Sequence, residues 1–273
     1  MKQAVLIVLF VFIGVACEKN SPSGSHQLTS CHIEYLFFRD DIRMYYTEPV
    51  LFPAGGEPLM CSYRYDGGIV VRNIGGFIPV PAGTNLMTNM FSTAAYDSLV
   101  PGDGSVASYT KFVDSEGLTH ENALNPVIYY QDPDNHLSRI TRKSQFSSDI
   151  VSYTYIDSIG FIQEMLNDTI PYRKFYFENS NLVKVTREYH TPQGVLTSIR
   201  EFLFGDYDDH PNPFKGKYYL RGAFFRAFSE HNYQSYTINE YGLLADSTFG
   251  IYSTSSYTMP LAYDKDGWPL FGE

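Results

Sequence analysis

The chain has 273 residues, 44% hydrophobic, 16% aromatic and 18% charged, with a formal net charge of −10. This content excludes a disordered chain, and 23 Tyr with 20 Phe favour strands over a helical bundle. The acidic excess and the lack of a Lys/Arg cluster exclude nucleic acid, and an anionic lipid surface held by charge, as partners.

The N-terminus reads as an address. Lys2 precedes residues 4–16, thirteen residues without a charge. A membrane-spanning helix needs about 20 apolar residues, so the run fits the apolar region of a secretory signal peptide. It ends in Gly14-Val15-Ala16-Cys17. Small residues directly before a cysteine resemble the lipobox of bacterial lipoproteins, with Gly14 where Leu is usual. The resemblance implies cleavage of a signal peptide at residues 1–16 and acylation of Cys17. It also implies a membrane contact through the acyl chains, placed at the outer membrane. The alternative is an ordinary signal peptide with Cys17 an incidental thiol. One acyl chain binds a bilayer marginally and two give stable anchoring, so the rest of the chain needs no spanning segment.

Residues 17–29 read as a lipidated flexible tether. Residues 18–29 are small and polar with Pro22 and Gly24, and extended they would reach roughly 40 Å. The Glu18-Lys19 pair is too short a match to surface-export signals to fix the membrane face. With Cys17 acylated, Cys31 and Cys61 remain. An oxidising compartment permits a disulfide between them, closing a loop of about 30 residues worth about 3–4 kcal/mol in the chain-entropy model. Two separate buried thiols are the alternative.

From residue 60 onward strand-turn-strand units recur. Tyr63-Arg64-Tyr65-Asp66-Gly67-Gly68-Ile69-Val70-Val71 is the cleanest. The segments at 129–140, 153–162, 175–185, 236–244 and 262–268 follow the same scheme. Alternation at period two puts Tyr and Phe on one face and polar residues on the other. Asp, Asn and Gly supply the turns of antiparallel hairpins. Several copies carry aromatics on both faces, so the pattern alone does not assign the inner one. Residues 97–113, with Pro101-Gly102-Asp103-Gly104 at their centre, read as a further hairpin. Gly75-Gly76, Pro79, Pro81 and Gly83 are expected to break any long element between residues 73 and 105. Between 212 and 232 a short helix is allowed, opened by Pro213 and carrying Phe224, Phe225 and Phe228, with Lys217–Leu220 alternatively a strand. No composition shift divides residues 30–273, which read as one all-β domain.

These units resemble the YD-type repeats of bacterial surface and toxin-shell proteins. They also resemble Gram-negative envelope lipoproteins in which such hairpins follow a lipobox. The segment Asp206-Tyr207-Asp208-Asp209-His210-Pro211-Asn212-Pro213-Phe214-Lys215-Gly216 adds to the second likeness. The resemblance implies an antiparallel meander of hairpins forming a large curled or barrel-like sheet, and no catalytic residue.

The residues themselves nominate little chemistry. There is no Gly-x-Ser-x-Gly elbow, no phosphate-cradling loop and no His-Glu-x-x-His. His120-Glu121 lacks a second histidine one turn on. Asp132-Pro133-Asp134-Asn135 and Asp206-Tyr207-Asp208-Asp209 offer the oxygens a hard cation prefers, but turn formation explains both, so no metal and no cofactor is assigned. The seven histidines are scattered. Trp268, in the turn Asp266-Gly267-Trp268-Pro269, is read as a clamp on the last strand. The sequence therefore reads as a lipid-anchored, non-enzymatic envelope protein that binds a glycan or a protein partner or serves structurally. A periplasmic carrier or assembly factor for lipid or outer-membrane protein is one alternative, and a glycan hydrolase acting through paired carboxylates is another.

Overall fold

The computed structural model describes residues 30–32, 50–51, 60–81, 87–122, 125–144, 148–221, 224–245 and 248–271. The signal peptide, Cys17 and the tether lie outside the described residues. The first nine strands are β1 (Ser30–His32), β2 (Val50–Leu51), β3 (Met60–Asp66), β4 (Ile69–Pro81), β5 (Met87–Gly102), β6 (Ser105–Val113), β7 (Thr119–Glu121), β8 (Val127–Gln131) and β9 (Leu137–Lys143). The others are β10 (Ile150–Ser158), β11 (Phe161–Leu166), β12 (Ile170–Glu178), β13 (Asn181–His190), β14 (Leu196–Gly205), β15 (Ser235–Leu243), β16 (Phe249–Thr258), β17 (Ala262–Tyr263) and β18 (Pro269–Leu270).

Fourteen of these strands pair in the order β1-β3-β4-β5-β6-β8-β9-β10-β11-β12-β13-β14-β15-β16. The protein is thus an all-β antiparallel meander. β2 runs parallel to β5, β7 pairs with β6, and β17 and β18 form a separate small hairpin. The sheet is curled but open: among the described residues β1 and β16 each pair on one side only.

Cross-strand register settles which face is which. Ile162, Phe175, Val185, Phe202 and Ile238 stand opposite one another in turn across β11 to β15. Phe175, Val185 and Phe202 have no exposed surface. One residue along, the row reads Gln163, Lys174, Thr186, Glu201, Asn239 and Thr254 from β11 to β16. Asn239 donates to Glu201 at 3.1 Å and accepts from Thr254 at 3.0 Å. The inner row is apolar, and the outer row is polar from β11 to β16. The outer face as a whole is mixed, since Ile156, Leu203 and Ile251 share it and are 47%, 37% and 49% exposed.

The inner face is covered by the chain itself. Residues 206–221 and 224–234, between β14 and β15, form a plug on the concave side. Phe225 meets Phe202 and Phe204 at centroid distances of 5.5 and 5.6 Å, and Phe228 lies 4.8 Å from Phe175. Phe214 and Leu220 pack with Cys61, Tyr63, Val70, Leu99, Val106 and Phe271 in a second cluster, and Tyr219 touches both. The expected helix here is corrected to a single 3-10 turn, Arg226–Phe228, and Lys217–Leu220 forms turns and no strand. Phe224, Phe225 and Phe228 are spaced to fill a concave aromatic wall, and side-chain bonds set the backbone path. The Asn212 amide donates to the Arg226 and Ser229 carbonyls at 2.7 and 2.9 Å and accepts from Phe214 N–H at 2.9 Å.

Two buried ion pairs tie the plug and the sheet. Glu164 and Arg173 stand opposite each other on β11 and β12, with fully buried side chains that are paired through both carboxylate oxygens. Tyr155 donates to Glu164 at 2.8 Å, and the guanidinium lies 5.3–5.7 Å from Phe175, Phe224 and Phe225. Arg221 of the plug reaches Asp97 on β5 and the Gly75 carbonyl on β4. Its guanidinium lies over Gly76, where any Cβ would collide with it.

The hairpins at 63–71, 97–113, 129–140, 153–162 and 175–185 are as the sequence predicts. Asn179 and Ser180 turn the last with φ of +49° and +62°, the left-handed pair a two-residue turn requires. Two expectations are corrected. The unit at 236–244 lies within one strand and its continuation, because Asn239 and Glu240 find partners across the ladder, Glu240 with Arg200 at 2.8 Å. Gly75-Gly76 and Pro79 do not end β4, which absorbs Gly75-Gly76 as a bulge and runs to Pro81, while Gly83 lies outside the described residues. Pro79 and Pro81 lie beyond the last residue paired with β3, on a stretch bonded to β5 alone, where a missing N–H is tolerated.

Replacing Glu164 by Ala should destabilise the protein by about 3–5 kcal/mol, because it strands the Arg173 charge. The double replacement Glu164→Leu with Arg173→Met should lie close to the parent. Urea midpoints of the three proteins decide this.

Candidate functional site

The hairpin turns of the central sheet and the plug enclose a cavity of about 630 Å³ at one end of the molecule. Its walls come from three hairpins and two pieces of plug. The β8–β9 turn brings Asp134 and His136, the end of β10 brings Asp157 and Ser158, and the β12–β13 hairpin brings Phe177 and Ser180. The plug brings Lys215, Gly216 and Tyr218, then Phe228 and Glu230.

Backbone chemistry fixes these pieces. Asp132 accepts from the backbone of Asp134 and His136 at 3.0 and 2.8 Å, which closes the β8–β9 turn with Asn135 at φ +64°. Gln131 clamps the turn to the plug, donating to the Gly216 carbonyl at 2.6 Å and the Asn135 carbonyl at 3.1 Å. Glu230 N–H donates to the Ser180 carbonyl at 3.1 Å, and the Glu230 side chain pairs with Lys215 across the plug.

The floor is aromatic. Phe228 is partly buried, with Tyr218 edge-on at 4.8 Å and Phe177 at 6.5 Å. Burial pushes the Tyr218 phenol up to about 12, with a hydrogen bond from Leu137 pulling the other way. It is therefore a neutral hydroxyl at any physiological pH. The rim is acidic and exposed at Asp134 and Asp157. A second cavity of about 320 Å³ lies at the far end of β11–β13 between Gln163, Tyr172, Lys174, Thr186 and His190.

The acidic clusters nominated from sequence separate. Ligand atoms of Asp132, Asp134 and His136 lie within 4.8 Å of one another at the cavity mouth, but two of the three residues are exposed and Asp132 holds its own turn. In the other cluster Asp208 is a structural knot. It accepts from Asn232 N–H at 3.0 Å, His210 N–H at 3.2 Å and the Tyr263 hydroxyl at 2.5 Å. His210 stacks on Tyr263 at 4.1 Å and accepts through its carbonyl from His231 Nδ1 at 3.1 Å. Sequence separation hid this pairing. His120 bonds Asp114 at 2.6 Å on the exposed β6–β7 turn, far in sequence from the cavity walls. Trp268 lies in the β17–β18 hairpin, whose turn Asp264 closes by accepting from Asp266 and Trp268 at 2.9 Å.

Cys31 and Cys61 stand directly opposite each other on β1 and β3. Opposed antiparallel residues are about 4.5–5.5 Å apart at Cα, within the range a disulfide spans. The Cys61 side chain is buried, with its sulfur 3.7 Å from the Gly75 carbonyl.

No family model and no curated protein matches the chain. Among solved structures it is similar to a porin-like protein from Bacteroides uniformis, at 10% identity and a TM-score of 0.37, over 75% of this chain and 92% of that one. A likeness at that level carries neither fold nor activity across, and the polar outer ladder is a property of this chain's own residues.

Stability should fall as the solution passes pH 10. An unfolded tyrosine ionises near 10, whereas Tyr218 stays protonated to about 12. Its stabilisation is complete below 10 and lost through that window, about 1 kcal/mol by pH 11. Tyr155, pushed well above its usual range by burial and by Glu164, adds in the same direction. Denaturant midpoints at pH 8 and 11 for the parent and for Tyr218→Phe measure the share of that residue.

Proposed function

We propose that this chain is a lipid-anchored cell-envelope protein of the outer membrane, acting without catalysis as a binding module for a glycan or protein partner. The observation that carries the reading is Gly14-Val15-Ala16-Cys17 directly after thirteen uncharged residues. The outer face supports it. It carries the charged Lys174 and Glu201, both partly exposed, in its polar row, and in this reading the membrane contact is made by the acyl chains and the tether. The cavity at the turn end supports the binding role, because it is concave, aromatic at its base and polar at its rim, the usual make-up of a ligand site. The likeness to hairpin-built envelope lipoproteins belongs to the same proposal.

The concave face is filled by Phe214, Phe224, Phe225 and Tyr233 of the plug, which weighs against an open apolar groove for lipid cargo. A hydrolase would need a carboxyl kept protonated by burial, and Asp134 and Asp157 are both exposed.

Cys17→Ser is the direct test of the anchor. The variant should leave the membrane fraction and appear soluble, and full retention in the membrane would overturn the anchoring. The Cys31–Cys61 bridge belongs to the same compartment argument. With Cys17 acylated, the unfolded, unreduced protein should show no reactive thiol, and two would show the pair unbridged.

A further inference from the structure

We propose that the cavity at the turn end is a saccharide site that accepts neutral and amino-bearing sugars and rejects acidic ones. This deepens the binding-module reading and rests on it. A volume of about 630 Å³ lies within the usual 300–1,000 Å³ of small-molecule sites and has room for more than one sugar ring. The floor offers what a sugar ring stacks on. Phe228 is only partly buried and lines the cavity beside Tyr218 and Phe177, while it also packs against Phe175, Phe224 and Tyr155. The part of this aromatic floor that meets the cavity takes the C–H face of a pyranose, and the sugar hydroxyls then project toward the rim.

The rim offers acceptors for them. Asp134 sits on the β8–β9 turn and Asp157 at the end of β10, both exposed. An ionised carboxylate accepts at two oxygens, and hydrogen bonds to it are about twice as strong as neutral ones. The same groups set the selectivity. The lining holds Asp134, Asp157 and Glu230 against one ammonium, Lys215, and Lys215 is already paired with Glu230. A hydroxyl or a protonated amine finds partners there. A uronate or a phosphorylated sugar finds like charge, with Lys215 engaged by Glu230 and His136 beside Asp132, and the repulsion at this exposed rim is felt most at low salt. An acyl chain fits the floor but would have to cross that charged rim.

The test is binding of the purified full chain in detergent to an immobilised panel of neutral, amino and acidic oligosaccharides, with fatty acid as a further probe. The expected result is retention on neutral or amino members, with acidic members at least tenfold weaker at low salt and the gap narrowing in 0.5 M salt. Phe228→Ala should reduce binding at least tenfold. Asp157→Asn, an exposed replacement at the end of β10 expected to leave the urea midpoint unchanged, should narrow the neutral-to-acidic gap at least threefold. Equal binding of acidic sugars, fatty acid in place of sugar, binding indifferent to both variants, or no binding to any member would each overturn the proposal. Membrane fractionation of the same preparations separates the two readings. An anchored protein that binds no saccharide loses this site and keeps its place in the envelope.

Discussion

An open sheet of fourteen strands leaves one large apolar face that must be covered, and the rest of this structure depends on how that is done. Closure into a barrel would bury the face against itself, and a second sheet would bury it in a sandwich. Here the plug does it, passing under the concave side between two adjacent strands. The segment has almost no regular backbone, so its own carbonyls and N–H groups need partners. Asn212, Asn232 and Asp208 supply many of them. That is why the stretch following β14 is dense in Asp and Asn.

The same arrangement accounts for the buried charges. An aromatic wall facing an aromatic plug is adaptable but weakly specific, since Phe rings pack on one another in many registers. Arg173–Glu164 and Arg221–Asp97 are not adaptable. Arg173–Glu164 joins two strands beneath Phe224 and Phe225 of the plug, whereas Arg221–Asp97 joins plug to sheet, and Arg221 reaches β4 across a residue without a side chain, Gly76. The net contribution of such pairs to stability is small beside the cost of breaking them.

What was legible in the sequence follows from the range of each interaction. Period-two alternation and Asx or Gly turns are local, and five hairpins were readable from them. The choice of inner face was not, because β12 carries Phe175 and Tyr176 on opposite sides. Only pairing with Val185, Phe202 and Ile238 shows which of them is core. The segment at 236–244 imitated a hairpin because Asn239 and Glu240 are turn residues by composition. Across the ladder they are hydrogen-bonding partners, which no local pattern reveals. The cavity was invisible for the same reason. Asp134, Asp157, Phe177 and Phe228 are spread over nearly a hundred residues, and only the meander brings their turns to one end.

The two faces differ in what they meet. The concave face is filled by the plug, whereas the outer face mixes Lys174 and Glu201 with the exposed Ile156, Leu203 and Ile251. Turns are where the backbone is least constrained by neighbours, so the residues on them can change without disturbing the ladder. The turns at one end of the sheet are held against a rigid plug by Gln131 and Glu230. Loops fixed in this way lose little freedom when a ligand arrives, and that is the condition under which a shallow polar rim can bind at all.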